Sequence, residues 1–153
     1  VVKREANLYD HELRADKCKQ GSAMAYTVDW LIPQRVVVIE INGDYTAQDL
    51  NESTLQVRDQ FLDHGMAPVH LVCDVRHITS YPTQIFVIKQ ASEIYLRHPN
   101  MGRLVLVGFD NPLMRFIANA VSQTMRARFQ QAKTVEEAIQ GLKTLDETLA
   151  DTV

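Results

Sequence analysis

Arg35-Val36-Val37-Val38-Ile39-Glu40-Ile41 is the stretch that decides the architecture. Its centre is an unbroken run of β-branched residues, closed by Asn42-Gly43-Asp44. A strand with one wet face alternates apolar and polar residues, whereas an unbroken run marks a strand covered on both faces, as in parallel sheets. Upstream, Tyr26 to Ile32 reads as a second strand, and Pro33-Gln34 separates the two as a hairpin turn would. Downstream, Thr46 to His64 reads as a helix, because Leu50, Thr54, Val57 and Phe61 repeat at helical spacing. Gly65 stands where a C-cap belongs.

The same alternation continues. Pro68 to Val75 predicts a strand, Val69-His70-Leu71-Val72-Cys73, ending at Asp74. A helix follows from Thr83 to Arg97, stopped by Pro99, and Arg103 to Phe109 is a third buried strand. Asp110-Asn111-Pro112 opens the next helix, with Asn111 as N-cap and Pro112 at the first helical position. That helix runs to Arg126 through Leu113, Ile117, Val121 and Met125. Phe129 to Ala132 is a short strand, and Thr134-Val135-Glu136-Glu137 is a capping box. The last helix carries a stripe of Ala138, Leu142, Leu145 and Leu149. The order β-β-α-β-α-β-α-β-α predicts an α/β fold: a mixed, mostly parallel sheet of about five strands with four helices and right-handed crossovers.

Composition bounds the function. With 153 residues and 46% apolar content, the chain supports one domain, read as 25–153. Residues 1–24 are charged and weakly periodic, and read as an N-terminal arm or an added segment. The net charge of −3 is spread along the chain without a basic block, so nucleic acid is not expected as a partner. Cys18 and Cys73 are far apart and unlike in context, which argues against a disulfide framework, and Cys73 is expected as a buried thiol. The N-terminus turns polar at once and no apolar run approaches ~20 residues, so neither a leader nor a membrane span is expected, and the cytoplasm is the expected location. Without a leader, the glycosylation pattern Asn51-Glu52-Ser53 is read as chance. No phosphate cradle of the Walker or dinucleotide type occurs, and no cofactor is expected. His64, His70, His77 and His98 contain no i,i+4 pair that would hold a metal on a helix.

Two regions invite a functional reading. Asp74, Arg76, His77, Thr79, Ser80 and Tyr81 are expected just beyond a central strand, where open sheets place ligands. A hydrolase would use Ser80 as nucleophile, His77 as base and Asp74 as orienter. Triads are assembled from separated segments and need an oxyanion pocket, and neither requirement is met by one glycine-poor loop. The simpler expectation is that Asp74 and Arg76 tie that loop together, so no enzyme is expected. Elsewhere, the turn from Gly108 to Pro112 with Arg115 one turn on could meet an anion. Arg103, Arg115, Arg126 and Arg128 put positive charge around the third helix, either as a solvated face or as a site for an acidic partner or phosphate.

The second helix is the more informative region. Val87, Ile88, Ala91, Ile94 and Tyr95 make one stripe for the sheet, and Lys89, Glu93 and Arg97 define the opposite face. Ile85, Phe86 and Leu96 then fall beside the charges, where they cannot all reach the same core. Either a loop or the arm covers them, or they form an apolar patch for a protein partner, a second copy or a lipid tail.

Val69-His70-Leu71-Val72-Cys73-Asp74-Val75-Arg76, His98-Pro99 before Arg103, and the closing Thr134-Val135-Glu136-Glu137-Ala138 resemble the SpoIIAA-like fold. That fold groups STAS domains, the anti-sigma-factor antagonists, with lipid-binding CRAL-TRIO domains. The resemblance covers roughly residues 26–150 and is nearest to small bacterial STAS-like proteins of unassigned function. Phosphorylatable antagonists carry Asp-Ser-Ser-Gly-Leu where this chain reads Pro82-Thr83-Gln84-Ile85-Phe86. Only Thr83 offers a hydroxyl there, and it is expected to be the N-cap of the second helix rather than a kinase target. The resemblance implies a regulatory or interaction module, as a homodimer or with another protein, through the second helix and the loop before it. It also implies a second possibility, a carrier of a small apolar or lipid ligand.

Overall fold

The apolar run that opens the hairpin's second strand is buried on both sides, as its lack of alternation requires. Val36 and Val37 have no exposed surface, yet they belong to two different cores. The computed structural model describes residues 25–108, 110 and 112–149; residues 1–24 with Cys18, read as an arm, Phe109 and the expected cap Asn111 lie outside them. The elements are β1 (Tyr26–Ile32), β2 (Val36–Asp44), α1 (Ala47–Gln56), β3 (Val69–Ser80), α2 (Ile85–Arg97), β4 (Met101–Val107), α3 (Pro112–Met125), β5 (Phe129–Ala132) and α4 (Val135–Leu145). The expected mixed five-stranded sheet with four helices is what forms.

The strands lie in the order β1-β2-β3-β4-β5, with β1 antiparallel to β2 and every later pair parallel. Each right-handed crossover therefore steps in the same direction, which places α1, α2 and α3 on one face of the sheet. Leu50, Ile88, Ile117 and Val121 meet Val37, Ile39, Leu71, Leu104 and Leu106 there. Among the described residues, the other face holds α4 and the turn after it, where Ala138, Leu142 and Leu149 cover Val36, Val72, Val105 and Val107. Glu40 on that second face stays exposed.

The local signals act as capping chemistry predicts. Thr46 Oγ1 accepts the Asp49 N–H at 3.1 Å while Asp49 accepts the Thr46 N–H at 3.0 Å, a reciprocal box that starts α1. Thr134 Oγ1 likewise accepts the Glu137 N–H at 3.1 Å, but the Glu137 carboxylate reaches Lys133 N–H, one residue further back. Gln34 takes a left-handed φ of 63° in the hairpin turn, and Arg35 N–H closes that turn on the Ile32 carbonyl at 3.0 Å.

Three expectations need correction. The helix after Thr46 does not end on a left-handed glycine: it widens into a π turn at Val57–Phe61, then tightens over Leu62–His64, and Gly65 is extended. Gly65 is required by crowding instead, since a Cβ there would run into Val69 Cγ2 and press on the Gln34 and Phe61 carbonyls. The third strand does not stop at Asp74 but continues to Ser80. Its end escapes a two-sided burial pattern because α4 leaves that part of the sheet open, and two register shifts against β2 break the alternation. Finally, α4 ends at Leu145, which is exposed, and Leu149 reaches the core from the following turn.

Candidate functional site

The start of α2 is built differently from the other described helix starts. Its N-cap is Gln84, with no side-chain hydrogen bond to the first turn, while Thr83 is exposed and does not cap, contrary to expectation. Pro82 just before is buried and pins the connection, which fixes where the helix begins. From there Ile85 and Phe86 project into solvent, 45% and 75% exposed. Lys89 is exposed one turn on, as the helical spacing predicts. Leu96 departs from its expected place beside them: it is half-buried against the core, because the buried face of α2 is centred on Ile88, Ala91, Ser92 and Tyr95. That rotation leaves Val87 and Ile94 only partly covered.

The polar residues expected beyond the central strand lie on it. Arg76 grips Asp74 in a bidentate pair, Nε to Oδ1 at 2.9 Å and Nη2 to Oδ2 at 2.8 Å, and its N–H adds a third bond. Burial opposes ionisation of Asp74, but these bonds outweigh it and hold the carboxyl below its usual value. His77 and Thr79 are exposed, and the Ser80 hydroxyl donates to Asp44 on the neighbouring strand. Ser80, His77 and Asp74 are thus not joined by hydrogen bonds; the tie between Asp74 and Arg76 is the expectation that holds.

Tyr81 turns inward. With Tyr45, Tyr95, Ser92 and Cys73 it lines a core cavity of about 40 Å³ between α2 and the sheet. Tyr45 packs on Tyr81 with ring centroids 5.3 Å apart, and its hydroxyl bonds Ser53. Tyr95 donates to Thr54 at 3.3 Å. Cys73 is half-buried rather than fully enclosed, and desolvation pushes its thiol up to about 12, far from a reactive thiolate. The cavity has room for two or three waters by the ~15 Å³ that one requires, and falls well short of the ~150 Å³ that admits benzene. An acyl chain has no chamber here.

A second buried polar cluster sits at the opposite end of the sheet, and sequence spacing did not reveal it. Asp146, at the end of α4, accepts from Arg35 Nη2 at 3.0 Å and from His70 Nε2 at 2.8 Å. His70 Nδ1 accepts the Arg103 N–H at 2.9 Å, so the ring is neutral with its proton on Nε2. Burial foremost, then the Arg35 and Arg103 guanidiniums, hold this imidazole below 6.5 against the pull of Asp146. The unfolded chain therefore binds a proton that the folded chain refuses. Stability present above the unfolded value is lost as pH falls from there towards the lower folded value, by at most ~1.4 kcal/mol per pH unit. Urea midpoints measured from about pH 7.5 to about 5 should fall more steeply for the wild type than for His70→Gln. Parallel slopes would refute a neutral, buried His70.

Among the described residues, no group of three His, Cys, Asp or Glu could hold a metal ion, and no helix is long and apolar enough to cross a membrane. The turn at Gly108–Pro112 includes Phe109 and Asn111, so the anion cradle expected there falls outside the described residues.

No family model matches the sequence, and no curated protein matches it. Solved structures do. The anti-sigma factor antagonist SpoIIAA in its unphosphorylated form superposes with a TM-score of 0.56 at 12% identity, over 78% of this chain and 97% of that one. The fold is SpoIIAA-like. The phosphorylated form of the Bacillus cell fate determinant SpoIIAA gives a TM-score of 0.54 at 13% identity, over 77% of this chain and 99% of that one. An uncharacterized DUF3478 protein of SpoIIAA-like fold from Shewanella loihica PV-4 gives 0.54 at 12% identity, over 77% and 92%. At such identities the likeness is one of fold alone. The SpoIIAA-like fold expected from the strand and helix pattern is thereby met.

Proposed function

We propose that this chain is a non-enzymatic protein-interaction module that self-associates through the first turn of α2 and the connection leading into it. One observation carries the reading: Phe86 is 75% exposed on a helix whose opposite face, at Ile88, Ala91, Ser92 and Tyr95, is buried in the core. An exposed phenylalanine beside an exposed isoleucine forfeits ~2 kcal/mol that burial of such a side chain would return, and docking against another copy recovers it. Ile85 and Phe86 form the apolar centre, with the exposed Thr83 and Lys89 beside it. The uncapped first turn adds backbone N–H groups for a partner's acceptors. The SpoIIAA-like fold supports the reading, since one of its members is an anti-sigma factor antagonist.

Light scattering on the wild type beside Phe86→Glu tests it. The wild type is expected at twice the 17.4 kDa chain mass and the variant at once that mass. Compared at a protein concentration low enough to keep the wild type monomeric, the two should unfold within ~0.5 kcal/mol of one another, because the substituted position is then a surface one. A monomer in both samples would end the self-association reading.

A further inference from the structure

At the other end of α2 an open groove of about 660 Å³ runs between its outer face and the end of α3. Lys89, Arg97, Arg126 and Arg128 line it, and Glu93 is the one acid among the lining residues. Glu93 is only loosely engaged, 3.7 Å from an Arg97 that is itself exposed. Among the described residues, no carboxylate pairs with Lys89, Arg126 or Arg128. Four cations therefore gather around one groove in a chain whose net charge is −3. Leu96 and Met125 add apolar lining between them.

The turn that carries two of these cations is held in an uncommon shape. Arg126 adopts a left-handed φ of 49°, a conformation that glycine or asparagine adopts more readily. Arg103 Nη1 fixes the same turn by donating to the Ala127 carbonyl at 3.0 Å. An unfavourable backbone angle kept at an arginine, with a neighbouring arginine spent on holding it, is the kind of local strain found at binding surfaces. Arg115 does not belong to the group, since it lies eleven residues before Arg126, ~16 Å along a helix axis.

We propose that this groove binds an acidic, amphipathic segment of another protein. Guanidiniums at its rim suit carboxylates, which they engage in paired hydrogen bonds, and the apolar lining suits a side chain such as leucine. Nucleic acid fits less well: the groove has no aromatic side chain on which a base could stack. The chain's own residues 1–24 are no match either, with five lysines and arginines against four acids.

The test uses a fluorescent peptide of about four helical turns, built of glutamates with leucines at helical spacing, and a control peptide with lysine for every glutamate. Binding is followed by anisotropy for the wild type, Arg126→Glu/Arg128→Glu, Arg126→Gly and Phe86→Glu. The acidic peptide should bind the wild type and not the lysine control, and should weaken as salt rises from about 50 to about 500 mM. The double reversal should lose about tenfold or more in affinity. Arg126→Gly should bind more weakly while melting no lower than the wild type, which separates the arginine's role from folding. Phe86→Glu, which adds a negative charge one turn from Lys89, should bind within about threefold of the wild type, so a failure of the self-association surface leaves this result standing. Equal binding by the double reversal, equal binding of the lysine peptide, or tighter binding of a single-stranded oligonucleotide would overturn the proposal. So would a change in molar mass in the double reversal, which would give the groove to a second copy.

Discussion

Replacing Asp146 with alanine is expected to cost the fold about 3–5 kcal/mol and to lower its urea midpoint accordingly. The carboxylate accepts from Arg35, His70 and the Thr148 N–H, and it is itself well buried, with its side chain 11% exposed. Removing it leaves the Nε2–H of an imidazole that is 3% exposed without its acceptor, and takes the counter-charge from a guanidinium that is 12% exposed and keeps Thr148 Oγ1 and the Pro68 carbonyl. Leaving such groups without their partner is more damaging than never having had the pair. The effect reaches four segments, because Arg35 opens β2, His70 lies on β3, Arg103 on β4 leans on the same imidazole, and Asp146 closes α4. Asp146→Asn keeps the shape and an acceptor but not the charge, so it should lose less, ~1–2 kcal/mol. A measured cost below ~1 kcal/mol for the alanine variant would mean that the cluster is solvated in practice.

Tyr45→Ala should be comparably damaging, by about 3–5 kcal/mol, the range for aromatic truncation in a packed core. Tyr45 is 1% exposed, meets Tyr26 edge-on at 6.0 Å and Tyr81 at 5.3 Å, and holds Ser53 through its hydroxyl. Burial pushes its phenol well above the ordinary value, so the ring is neutral throughout the working pH range. The deletion joins the vacated space to the neighbouring 40 Å³ cavity and brings the void towards the ~150 Å³ at which a small aromatic enters. Phenol or benzene should then raise the melting temperature of the variant and leave the wild type unchanged, at ~2.7 kcal/mol for ligand at a hundredfold excess over its dissociation constant. Stabilisation of the wild type by the same compounds would show that the native cavity is larger or more open than its lining implies.

The order of elements was legible because burial on both faces writes itself as unbroken runs, as in Val36-Val37-Val38-Ile39 and Leu104-Val105-Leu106-Val107. The second half of β3 was not, because among the described residues only one of its faces is covered. Arg76, His77 and Thr79 face solvent there, and polar residues of that kind read as a loop. Thr83 had the right chemistry for a cap, yet the helix starts one residue later than a threonine cap needs. Capping depends on where the preceding chain is anchored, here by Pro82, and composition does not report that.

The exposed end of α2 could be read from the sequence because Ile85-Phe86-Val87-Ile88 has more apolar residues than one helical face can bury. Leu96 could not be placed the same way, since its cover is set by how α2 packs in the tertiary structure. The Asp146 cluster left no trace in spacing at all. Arg35 and Asp146 are 111 residues apart, and His70 and Asp146 are 76 apart. Only a buried histidine within an apolar strand, His70 between Val69 and Leu71, hinted that a polar partner had to arrive from somewhere.

The consecutive strand order has an entropic corollary. Every strand after the first lies beside the one made just before it, so the sheet closes through four modest loops rather than one wide one. Contacts between near neighbours along the chain favour quick, progressive assembly from one end. Against that background the bond from Arg35 to Asp146, with the packing of α4 on Val36 beside it, is a clasp that ties the first hairpin to the last helix once everything between them is in place.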